Sequence, residues 1–77
     1  MDWLYMPVWV DQQNSGPITR MTEEQANSYR PSGPRAGGRT LIDTPTLLIL
    51  SLDGGMLFQI FVREDVWKEM GPPVLTL

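Results

Sequence analysis

The stretch Leu47-Leu-Ile-Leu-Ser-Leu-Asp-Gly-Gly-Met-Leu-Phe-Gln-Ile-Phe-Val62 decides how this chain is read. Two apolar runs flank Asp53-Gly54-Gly55, a turn sequence that tolerates the positive φ angles of a tight β-hairpin. Side chains alternate across a strand, so the two faces can be separated on paper. One face carries Leu48, Leu50 and Leu52 opposite Leu57, Gln59 and Phe61. The other carries Leu47, Ile49 and Ser51 opposite Met56, Phe58, Ile60 and Val62. A surface hairpin is apolar on one face and polar on the other, whereas here only Ser51 and Gln59 interrupt two apolar faces. Both sides therefore need cover.

Working outward, Trp3 to Val10 reads as a strand, with Leu4, Met6, Val8 and Val10 on one face and Trp3, Tyr5 and Trp9 on the other. Pro7 lacks a ladder donor, which places this strand at a sheet edge or turns Pro7 toward an unpaired side. Asp11 to Pro17 reads as a polar turn. Thr22-Glu-Glu-Gln25 fits a capping box, and Pro31 ends that helix near Tyr29 or Arg30. Residues 30–40 are rich in Arg, Gly and Pro and read as a flexible loop. A short strand near Leu41–Asp43 leads into the hairpin. Glu64 to Met70 reads as a second helix with Val66, Trp67 and Met70 on one side and Gly71 as its stop. Residues 72–77 form an apolar tail. The expected fold is one small α+β domain over residues 1–77: an antiparallel sheet of three or four strands around the central hairpin, with one or two short helices.

The 77 residues are 42% hydrophobic and 19% charged, a globular composition. So small a domain buries a modest core and commonly relies on a disulfide, a metal or association. The chain has no Cys and no His, which removes disulfides and thiolate or imidazole zinc sites. Self-association remains, through one hairpin face or the C-terminal tail, giving a dimer or higher oligomer. No cofactor is implied. No segment has the pattern of a signal peptide or the length of a membrane helix, so the expected location is the cytoplasm, the host's if a virus encodes the chain. The net charge of −3 and pI near 4.6 argue against nucleic acid or an anionic membrane as partner.

Without His or Cys, catalysis would fall to carboxylates. Glu64 and Asp65 are accounted for by the start of a helix, and Asp43 and Asp53 by a loop and a turn; an enzyme is not expected. Two other constellations carry the functional reading. The aromatic residues Trp3, Tyr5, Trp9, Phe58, Phe61 and Trp67 are candidate anchors for a protein partner, of the kind that dominate interfaces. Four of the six basic residues lie between Arg20 and Arg39, and Arg30, Arg35 and Arg39 with Gly37 and Gly38 could capture an anion, because the arginine fork matches phosphate and glycine lets backbone approach it. The alternative for that loop is a solvated linker. The leading expectation is a small oligomeric protein that inhibits a partner macromolecule by occluding it, as virus- or plasmid-encoded accessory proteins do. The second is an oligomeric binder of a nucleotide or other phosphate-bearing ligand.

Overall fold

The computed structural model describes residues 1–11 and 14–72. It is an α+β domain with a single antiparallel sheet. The elements are β1 (Asp2–Trp9), β2 (Asn14–Ser15), β3 (Thr19–Thr22), α1 (Glu23–Asn27), β4 (Arg39–Asp43), β5 (Leu47–Leu52), β6 (Leu57–Arg63) and α2 (Glu64–Met70). Six strands give the lateral order β2-β1-β6-β5-β4, with β3 beside β2 along the same flank of β1. The strand count exceeds the three or four expected. Asn14–Ser15 falls within a segment read as turn, and Thr19–Thr22 carries one apolar residue, Met21, too few to announce a strand. The apolar tail beyond Pro72 lies outside the described residues.

The β5–β6 hairpin forms in the register expected: Leu48 pairs with Phe61, Leu50 with Gln59 and Leu52 with Leu57, while Leu47, Ile49 and Ser51 pair with Val62, Ile60 and Phe58. Asp53, Gly54 and Gly55 take φ of 54°, 64° and 93°, and the Met56 N–H closes the turn on the Asp53 carbonyl at 3.1 Å.

Strand β1 is internal, so the edge alternative for Pro7 is corrected. β6 pairs along one flank of β1, and β3 and β2 divide the other between Asp2–Tyr5 and Val8–Trp9. The Pro7 carbonyl accepts the Gly16 N–H at 2.7 Å. In a strand the N and C=O of one residue face the same flank. The missing N–H of Pro7 thus falls where the neighbouring strand is interrupted, which removes the usual cost of proline inside a sheet.

Each sheet face carries its own core. On the first, Trp3, Leu48, Leu50 and Phe61 are buried with Ala26 of α1, flanked by Tyr5, Met21 and Tyr29. On the second, Met6, Ile49, Ile60 and Val62 are buried beneath Val66 and Trp67 of α2. Completely burying side chains of this size stabilises by about 1.5–3 kcal/mol each. The capping box predicted at Thr22 is complete: the Gln25 N–H donates to the Thr22 hydroxyl at 3.1 Å, and the Thr22 N–H donates to the Gln25 side chain at 2.9 Å. Helix α2 ends at Gly71, where φ is 76° and the N–H donates to the Trp67 carbonyl at 2.8 Å. Met70 departs from its expected packing role and is 79% exposed.

Candidate functional site

The six aromatic candidates do not make one surface. Strand register places Trp3, Tyr5, Trp9 and Phe61 on the first face and Phe58 on the second, with Trp67 packed there from α2. Trp3 and Phe61 have 0% exposure; as surface anchors they are corrected to core residues, because α1 and the chain after it close over them. Tyr5 and Tyr29 flank the Phe61 ring with centroids 5.0 and 4.9 Å away, a tilted arrangement within the favourable aromatic range. Gln59, one of the two polar interruptions of the hairpin, donates to the Tyr5 hydroxyl at 3.0 Å and so enters the half-buried region satisfied. Tyr5, Trp9, Phe58 and Trp67 remain half-buried.

The arginines are divided by the sheet. Arg39 pairs with Ser51 and Asp43 with Leu48, although Arg39 and Asp43 are four positions apart and Ser51 and Leu48 three. A bulge between Thr40 and Ile42 absorbs the extra residue and sends Arg39 and Asp43 to opposite faces. Asp43 thereby lies on the face of Trp3, where Arg30 reaches it. Arg30 donates from Nη1 to Asp43 and from Nε to Asn27 at 2.8 Å, with its guanidinium 5.5 Å from the Trp3 ring centroid. A partly buried cation held by a carboxylate, an amide and an aromatic face is a fastening for the loop.

Arg35 is exposed on the other side of this loop, beside Thr22, Glu24, Gln25 and Ser28, and its N–H donates to the Ser28 carbonyl at 2.8 Å. Arg39 lies in a separate concavity. The expected cluster Arg30, Arg35, Gly37, Gly38 and Arg39 is therefore not gathered around one point. The two glycines also differ. A Cβ on Gly37 would meet nothing within 4 Å, whereas one on Gly38, where φ is +69°, would lie 2.4 Å from the Ser51 carbonyl oxygen.

A feature the sequence does not announce lies between the start of β5 and α2. An apolar groove of about 440 Å³ is walled by Leu47, Val62, Val66 and Met70, with Thr44 and Thr46 at one rim and Gly71 and Pro72 at the other. On the same sheet face, across β5 at the edge strand β4, Ile42 pairs with Ile49 and is 39% exposed, and Leu41 at the bulge is 45% exposed. The adjacent apolar pair Leu41-Ile42 was the signal available in the sequence. The bulge that presents it was not.

Ion pairs surround the junction of β6 and α2. Glu64 pairs with Arg20 of β3 at 3.0 Å and with Lys68 at 3.5 Å. Arg63 donates twice to Asp65, at 2.7 and 2.8 Å. Those hydrogen bonds hold the Asp65 carboxyl below its usual range and the Arg63 guanidinium above its own. Among the described residues no group of three or more His, Cys, Asp or Glu could hold a metal ion, and no helix is long and apolar enough to cross a membrane. Compared with known proteins, the chain matches no family model, no curated protein and no solved structure.

Proposed function

We propose that this chain is a small non-enzymatic binding protein that acts by occluding a partner protein, with the β4–α2 side of the second face as its contact surface. The observation that carries this reading is the groove lined by Leu47, Val62, Val66 and Met70, with exposed Ile42 and Leu41 on the adjacent edge strand β4. Apolar side chains left together at a surface mark interaction sites more often than scattered single ones do. A preformed groove between a sheet and a helix accepts an apolar helix or strand from a partner. Self-association is a smaller part of this reading than the two-sided hairpin suggests, because one chain already buries Leu48, Leu50 and Phe61 on one face and Ile49, Ile60 and Val62 on the other.

The test is affinity capture from lysate with the wild type beside an Ile42→Asp/Met70→Glu double variant. Both positions are exposed, so the variant should keep the wild-type melting profile. Species captured by the wild type and lost by the folded variant support the surface. Identical captures by both would overturn it.

A further inference from the structure

A second concavity, of about 460 Å³, lies at the hairpin end of the sheet, lined by Gly38, Arg39, Ser51, Leu52 and the Asp53–Gly55 turn. Its composition differs from that of the apolar groove. Arg20, Arg30, Arg63 and Lys68 all have carboxylate partners. Among the described residues, Arg39 and Asp53 take part in no ion pair and line this concavity together, while Arg35, the other cationic side chain without an ion pair, lies apart beside Thr22 and Glu24. Ser51 lines the same concavity: it is the cross-strand partner of Arg39, and a Cβ on Gly55 would come 4.0 Å from its Oγ.

The backbone around these groups takes conformations that L residues rarely adopt. Gly38, Asp53, Gly54 and Gly55 all have positive φ, and Asp53 is the one non-glycine residue among the described residues to do so. An L residue in that region costs about 1–2 kcal/mol, and such residues collect at ligand sites as well as in turns. Gly38 is fixed by steric contact as well, since a Cβ there would lie 2.2 Å from the Leu52 side chain. At Gly54 and Gly55, by contrast, a Cβ would meet nothing closer than 4.0 Å, so the turn side of the concavity is bare backbone, open to a close approach.

We infer that this concavity binds a small zwitterion, with an oxyanion on Arg39, a protonated amine on Asp53 and a hydrogen bond to Ser51. A simple anion is a poorer fit, because the Asp53 carboxylate opposes it. Arginine matches carboxylate and phosphate alike through its paired N–H donors, so the oxyanion can come from an amino acid or from an aminoalkyl phosphate. This inference is independent of the occluding surface, which lies at the other end of β5.

The experiment is an amide-resolved NMR titration of the full chain with phosphoethanolamine, with a series of ω-amino carboxylates, and with inorganic phosphate as the probe lacking an amine. Saturable shifts are expected at Gly38, Arg39, Ser51, Gly54 and Gly55 for at least one amine-bearing series, and which series binds identifies the oxyanion. Arg39→Gln should weaken that binding at least about tenfold, as loss of a charge-assisted bond does. Asp53→Asn keeps a residue that tolerates positive φ and should weaken the amine-bearing ligands while leaving inorganic phosphate no weaker. Absence of saturable shifts at millimolar concentration would overturn the inference. So would inorganic phosphate binding as tightly as the amine-bearing probes, or an unchanged affinity in a folded Arg39→Gln chain.

Discussion

The two faces of this sheet begin from equally apolar hairpin residues and end in different states. The first is sealed from three directions: Ala26 of α1 from above, Tyr29 against Phe61, and Arg30 drawn across Trp3 to Asp43. Among the described residues the second is covered by one short helix, whose Val66 and Trp67 pack against the sheet while its last residue, Met70, stands 79% exposed. The difference follows from chain length on each side. Residues 23–38 span the first face as helix and then hydrogen-bonded turns, whereas among the described residues the second has the seven residues of α2. One side is thereby a core, and the other is a core with an open margin.

The largest effect expected from this contrast is on stability. Phe61→Ala should cost about 3–5 kcal/mol, most of the stability of a small domain. Phe58→Ala, on the other face and half-exposed, should cost less than half as much. Urea unfolding of the two variants measures the gap, and equal losses would mean that the faces are equally closed.

The closing loop supplies a second, smaller contrast. Gly38→Ala should destabilise by about 2 kcal/mol or more, from positive φ and from collision with the Ser51 carbonyl together. Gly37→Ala, in open space, should be near neutral. Thermal melts of the pair would show whether the chain between α1 and β4 is packed down or merely connects them. Arg30→Lys tests the same closure at its other end. Lysine keeps the charge but not the fork that joins Asn27, Asp43 and the Trp3 face, so a loss of about 1 kcal/mol is expected. Trp3 emission should shift to longer wavelength as the ring is uncovered.

The smallest effect concerns acid and the junction of β6 and α2. Hydrogen bonds from Arg63 lower the Asp65 pKa from an ordinary 3.8. A depressed carboxyl stabilises the fold above its unfolded pKa and loses that contribution as pH falls through the lower folded value. Stability should therefore decline slightly below about pH 3.8, and Asp65→Asn should flatten that part of the profile. Both groups are exposed, so added salt should shrink the effect.

Much of this architecture was legible in the residues. Alternation fixed the hairpin's register, Thr22 and Gln25 marked the start of α1, and Gly71 marked the end of α2. The site was far less legible. Periodicity tells which residues share a face, but not which face another segment will cover, so Trp3 and Phe61 read as anchors when they are core. The bulge at Leu41 had no signature in the sequence. It alone separates Arg39 from the Arg30–Asp43 pair, exposes Ile42 at the edge and leaves Arg39 beside the hairpin turn. A one-residue shift in a strand sends every later side chain to the opposite face, which is why a cluster close in sequence is divided in space.

The most direct test of the unequal closure is solvent paramagnetic relaxation of side-chain methyls in the isolated protein at micromolar concentration. Leu48, Leu50, Ile49 and Ile60 should be protected from a soluble nitroxide, while Leu41, Ile42 and Met70 relax quickly. Rapid relaxation of Ile49 and Ile60 would contradict the account, because the second core would then require a partner in order to form. Protection of Ile42 and Met70 in the free protein would contradict it equally, because the margin assigned to a partner would already be closed.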